Sequence, residues 1–187
     1  MSMNQESPTR VVAIESWFHQ QDDGGIVVTS RNVSPAVSGD LEHARTIVYT
    51  TKPHCLRHIQ GISELSQPVA SIGRYGLPGD GELKLLRGST VPCRRLFLGD
   101  ADPPDLLVFA WLREHVPITW HGVSDDFLDR NVQRNREDIQ IPLSPTESSA
   151  LPLLPAVCPD YRALLGEYCA SLLDRHLKIE LEGAVQP

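Results

Sequence analysis

The stretch Arg94-Arg95-Leu96-Phe97-Leu98-Gly99-Asp100-Ala101-Asp102-Pro103-Pro104-Asp105-Leu106-Leu107 decides how the chain is read. Arg95–Leu98 has the composition of a short buried strand, and the Gly-Asp-Ala-Asp loop ends it. Pro103 suits a first helical position, with Asp102 as a cap before it and Asp105 in the first turn. A helix is therefore predicted over Pro103–His115. Strand, tight loop and helix in that order put Asp100 and Asp102 at the carboxyl edge of a sheet, where open α/β sheets take their ligands. Two carboxylates two residues apart can reach one ion from an extended turn. Mg²⁺ favours such oxygen ligands, commonly one or two carboxylates with waters filling the octahedron. On spacing alone, capping is the better explanation of Asp102. It does not explain Asp100, because a carboxylate at the end of a buried strand needs a partner or solvent.

Working outward, the same alternation continues on both sides. Upstream, Thr46–Thr50 reads as a strand, Pro53 to about Leu65 as a helix and Pro68–Ile72 as a second strand. The glycine-rich segment Gly73–Gly81 and a short helix over Glu82–Arg87 follow. Downstream, Pro117–His121 reads as a fourth strand, and Ser124 caps a polar helix running towards Asp138. Two more helices are predicted, Thr146–Leu154 capped by Thr146 and Asp160–His176 capped by Asp160. The expected class is α/β, a mostly parallel sheet flanked by helices, with C-terminal helices added. At the other end, residues 1–9 read as a disordered tail. Arg10–Phe18 and Gly25–Val33 read as the two strands of an N-terminal β-hairpin turning at Gln20–Gly24, and Ser34–Asp40 as a linker. The expected organisation is thus tail 1–9, hairpin and linker 10–40, and α/β domain 41–187.

Composition narrows the function classes. With 187 residues, 41% hydrophobic and 22% charged, the chain can bury an ordinary core without staples. Its formal net charge of −7 argues against a free-standing nucleic-acid binder, which would show a basic excess. Arg130, Arg134 and Arg136 form only a short local cluster. The cysteines Cys55, Cys93, Cys158 and Cys169 make no CxxC pair, and Met1–Thr9 lacks the apolar core of a secretory signal. They read as reduced thiols of a cytoplasmic protein. No apolar run approaches the roughly 20 residues that span a bilayer, so no membrane partner is expected.

The segment Arg95 to Leu107 resembles the DxD segment of Toprim domains. It is closest to the Gly-Asp-x-Asp-Pro variants of topoisomerase VI A-subunit-like proteins and Wadjet-type plasmid-defence nucleases. Thr46–Gln60 resembles the first Toprim strand and helix. Gly73-Arg74-Tyr75-Gly76-Leu77-Pro78 with Leu83–Leu86 resembles the glycine-bearing segment before the DxD strand. Leu172 to Glu182, with Lys178, Glu180 and Glu182, resembles the closing Lys-x-Glu-x-Glu stretch. Together these span roughly residues 44–183, and their order is more specific than any one of them. The resemblance implies a Toprim-like fold, Asp100 and Asp102 as ligands of Mg²⁺, and a role in nucleic-acid processing or defence that reaches DNA through a partner protein. An active version would be an Mg²⁺-dependent phosphodiesterase or nuclease. The alternative is a non-catalytic interaction or scaffold module on the same fold.

Two departures separate the chain from the resembled enzymes. Their first-strand glutamate is matched here by Thr50 and Thr51, whose hydroxyls cannot replace a carboxylate as ligand or general acid/base at neutral pH. Their nucleophilic tyrosine lies on a separate domain, whereas Tyr49, Tyr75, Tyr161 and Tyr168 read as packing residues. Asp125 and Asp126 share the carboxyl edge and either extend an acidic site or favour a helix start. Lys178, Glu180 and Glu182 read as structural crossings of the sheet edge. His54 and His58 have zinc-compatible spacing but read as a solvated helix face.

Overall fold

The computed structural model describes residues 6–22, 34–55, 68–131 and 136–185. Strands β1 (Ala36–Ser38), β2 (Thr46–Thr50), β3 (Val69–Gly73), β4 (Arg94–Leu98) and β5 (Thr119–Trp120) form one sheet in the order β1-β3-β2-β4-β5. All its pairings are parallel except β1 with β3. The α/β class with a mostly parallel sheet is therefore observed. The chain leaves β2 to one side for β3, then crosses to the other side for β4. That reversal opens a crevice above the carboxyl ends of β2 and β4, the place where such sheets bind ligands. The register puts Thr50 beside Gly73 and Leu98, so Thr51, Arg74 and Gly99 leave the sheet at one level.

An aromatic row holds this edge in place. Tyr49, Phe97 and Trp120 stand opposite one another on β2, β4 and β5, with ring centroids 5.9 Å and 5.3 Å apart. Phe109, from α3 (Pro103–His115), packs on Phe97 and Trp120 at 5.7 Å and 5.4 Å. Such pairs contribute about 0.5–1.5 kcal/mol each beyond their buried area. They seat α3 on the sheet next to the Asp loop. Leu106 to Leu112 are all buried, as expected of a helix enclosed on both sides. One of those sides is α1 (Glu6–Asp22), which corrects the expected hairpin.

The β-branched content of Arg10–Phe18 imitates a strand, but Ile14, Trp17 and Phe18 are buried at helical spacing while Val12 is 60% exposed. Residues 6–9, expected in a disordered tail, belong to the same helix. Gly25–Val33, the other expected strand, lies outside the described residues. Within the expected linker, Ala36–Ser38 is instead the antiparallel edge strand.

Helices α2 (Asp80–Arg87) and α4 (Asp125–Arg130) follow β3 and β5. The latter is capped by Ser124 as expected but ends at Arg130 rather than running towards Asp138. Arg134 is not among the described residues. The predicted helix over Pro53–Leu65 begins as a 3-10 turn at Pro53–Cys55, and residues 56–67 are not described. β6 (Gln140–Pro142) pairs antiparallel with β7 (Leu177–Ile179) in a separate two-stranded sheet.

Between these strands lie α5 (Pro145–Ala150), α6 (Leu154–Val157), α7 (Tyr161–Leu165) and α8 (Glu167–Asp174), and α9 (Leu181–Val185) follows β7. Ser144, not Thr146, caps α5. The single helix expected over Asp160–His176 is broken at Gly166, whose φ of +84° and ψ of 169° leave the helical region. Asp160 pairs with Arg113 at 2.7 Å instead of capping. No described helix is long and apolar enough to cross a membrane.

Candidate metal centre

The three carboxylates Asp100, Asp102 and Asp105 meet at the crevice between β2 and β4. One oxygen from each lies within 4.8 Å of the others, and all three residues are buried. Asp102 caps α3 as predicted, its Oδ1 accepting from the Asp105 amide at 2.8 Å. Asp105 is the residue that sequence reasoning missed, because its place in a first helical turn already explained it. Its Oδ2 accepts from the Asp100 amide at 2.7 Å and from Thr51 Oγ1 at 2.8 Å. Gly99 permits this approach, since a Cβ there would stand 2.5 Å from Asp105 Oδ2. Thr51 thus donates a hydrogen bond into the cluster.

Two ammonium groups enter the same space. Lys52, directly after Thr51, places Nζ 2.7 Å from Asp100 Oδ2, which has no aligned hydrogen-bond donor among the described residues. Lys178 of β7 places Nζ 3.8 Å from Asp102 Oδ2, 2.8 Å from Glu147 and 2.9 Å from Glu180. The segment carrying Lys178 is fastened to the loop by its backbone. Ala101 N donates to Ile179 O at 3.1 Å, and Leu181 N donates to Asp100 Oδ1 at 2.8 Å. A cavity of about 660 Å³ opens beside Thr51, Lys52, Arg74, Asp102, Asp105 and Lys178, with Trp17 and Phe18 on its apolar wall.

Burial, then the neighbouring Asp105 charge, pushes the Asp100 carboxyl up to about 7 despite Lys52. The same two causes hold Asp102 well above the usual range, and burial raises Asp105. For Lys52 burial acts downward, and the Asp100 carboxylate more than reverses it. Burial also lowers Lys178, and Asp102, Glu147 and Glu180 more than reverse it. Three carboxylates therefore face two fully charged ammonium groups, and Lys178 is also shared with Glu147 and Glu180. The balance is completed by a proton or a cation, and the three-aspartate group can hold a metal ion.

The raised Asp100 pKa has a sign in pH. Between about pH 4 and 7 the folded protein holds a proton that the unfolded chain has released, so stability falls as pH rises across that window. Relative to Asp100→Asn, wild type is expected to gain melting temperature as pH drops from 7 to 5. A difference that stays flat would mean that Asp100 titrates like an exposed carboxyl.

The remaining acidic candidates separate. Asp125 is buried away from the cluster, its carboxylate accepting from the Tyr168 and Cys169 amides at 3.0 Å and 2.9 Å. It caps α8 from across the chain. Glu180 pairs with Lys178, whereas Glu182 turns the other way, to His54 and, at 4.0 Å, to Lys52. His58 lies outside the described residues. No protein-family model matches the sequence, and no curated protein matches it.

Proposed function

We propose that the chain is a degenerate Toprim-like domain that holds Mg²⁺ among Asp100, Asp102 and Asp105. On this reading it acts in nucleic-acid processing or defence, with DNA reached through a partner protein. The observation that carries the reading is the charge count at the β2–β4 crevice: three buried carboxylates against two ammonium groups, all donors being oxygen. A bound Mg²⁺ would supply orientation of a phosphate and neutralisation of charge on its oxygens. The chain's own contribution is positional. The Asp102 cap, the Asp105 bonds and the Leu181 amide fix the carboxylates, while Lys178 sits on the Asp102 side of the cavity.

A second reading, a non-catalytic scaffold module, is favoured by one contact. Lys52 Nζ stands 2.7 Å from Asp100, so an ammonium supplies part of the charge that a cation would bring. A melting experiment with Mg²⁺ distinguishes the two. Wild type is expected to melt higher at millimolar Mg²⁺, and Asp102→Asn, which preserves the cap, is expected not to respond. At a concentration 100 times Kd the gain is about 2.7 kcal/mol. A wild type indifferent to Mg²⁺ leaves the scaffold reading, and a nuclease assay on the same pair decides activity.

A further inference from the structure

We infer that His54, Cys55 and Glu182 form a second cation site, distinct from the aspartate cluster and suited to a borderline-soft metal such as Zn²⁺. The three residues bring imidazole nitrogen, thiol sulfur and carboxylate oxygen within 4.8 Å of one another. Tetrahedral zinc with bonds of about 2.0–2.3 Å separates its donors by roughly 3.3–3.6 Å, so modest side-chain adjustment suffices. This inference does not depend on the Mg²⁺ reading, because the donor chemistry differs: hard oxygens there, nitrogen and sulfur here.

Two further observations point to a ligand. Glu182 Oε2 is out of contact with solvent, and the Glu182 carboxylate shares a side-chain hydrogen bond with the Cys55 thiol, so two of the three donors already converge on one point. His54 Nδ1 meets Tyr75 Oη at 2.7 Å, which fixes the ring so that Nε2 faces Glu182. Orienting a histidine through its other ring nitrogen is the usual support of a metal ligand. The charges also close. A Cys55 thiolate, its proton released to solvent, and the Glu182 carboxylate together neutralise a divalent ion, so Lys52, 4.0 Å from Glu182, would face a centre without net charge. His54 is half exposed, which gives the ion a path in. Three protein donors leave a fourth position open for water or an external ligand, as at catalytic rather than purely structural zinc sites.

Co²⁺ tests this directly, because a thiolate ligand gives it a charge-transfer band in the near ultraviolet. The reduced full chain is expected to show that band with the intense visible absorption of tetrahedral cobalt. Zn²⁺ should displace both, and excess Mg²⁺ should not. Cys55→Ser should abolish the band, and His54→Gln, at a surface position where folding is not at stake, should weaken cobalt binding at least tenfold. Tyr75→Phe should weaken it by roughly tenfold, while Asp102→Asn should leave it intact. Circular dichroism checks that each variant is folded, and should Cys55→Ser misfold, His54→Gln decides. The inference is overturned if wild type shows no charge-transfer band. It is equally overturned if the band survives Cys55→Ser in folded protein, if His54→Gln binds cobalt as wild type does, or if Mg²⁺ displaces the cobalt.

Discussion

Lys52→Met is expected to destabilise the protein by about 3–5 kcal/mol above pH 8, the usual cost of removing one partner from a buried ion pair. Asp100 is fully buried, the Lys52 side chain is 19% exposed, and among the described residues no other ammonium stands as close to Asp100 Oδ2. Without Lys52 the carboxylate either remains charged beside Asp105 or takes up a proton from solvent. Its folded-state pKa is already raised to about 7, so acidification makes the second route easier. The penalty should therefore shrink steadily as pH falls towards 5. Lys52→Met with Asp100→Asn should recover most of the loss, because the orphaned charge is gone. Urea denaturation across pH measures all three proteins. A loss below about 1 kcal/mol above pH 8 would mean that the pair contributes nothing net, as many exposed pairs do. The same variant bears on the proposed Mg²⁺ site: if Mg²⁺ binds there, it should stabilise Lys52→Met, with the competing ammonium removed, more than wild type.

Gly166→Ala is the second large effect, expected near 4 kcal/mol by the same method. Gly166 has φ +84° and ψ 169°, a region essentially reserved for glycine, and forcing another residue there costs about 1–3 kcal/mol. The new Cβ would also lie 2.4 Å from Asp125 Cγ. Asp125 must then move, and it is the residue that holds the first amides of α8. A hydrogen bond to a charged group contributes about 1.5–3 kcal/mol, so partial loss of the two bonds supplies the remainder. Asp125→Ala removes the bonds without the backbone strain and should cost about half as much. If Gly166→Ala loses less than about 1 kcal/mol, the tight contact between Gly166 and Asp125 is not what joins α7 to α8.

These residues also show what a sequence can disclose. The segment from Arg94 to His115 was legible because its signals are local: an apolar run, a glycine, a capping aspartate and a proline at the helix start all agree. The N-terminal helix was not, since Val11, Val12 and Ile14 carry strand propensity. What decides the matter is tertiary: Trp17 donates to Ser149, and Glu15 accepts from Trp111. The Ile14-Trp17-Phe18 spacing was the available clue. Asp100 and Asp102 could be read as a pair because they are adjacent, but Asp105 was concealed by its sufficient local role. Lys52 acquires meaning only when β2 lies beside β4. The same limit applies more strongly to His54 and Cys55. His54 reads as a solvated helix face and Cys55 as a reduced thiol until the fold brings Glu182 to them, 128 residues on from His54. Asp125 taught the converse lesson, because its apparent membership of the acidic edge dissolves once Tyr168 and Cys169 are seen to need it.

The backbone from Lys178 to Glu182 runs between the two clusters, giving an ammonium to one and a carboxylate to the other, while the Leu181 amide grips Asp100. What is bound on one side therefore shares a mechanical element with what is bound on the other. Free energies of binding that meet in one element are reciprocal: if a soft metal at Glu182 steadies the segment and tightens a hard cation at Asp100, the hard cation tightens the soft metal by the same factor. The protonation of Asp100 belongs to the same linked equilibrium. Acidity and two kinds of metal would then be sensed through one short length of chain.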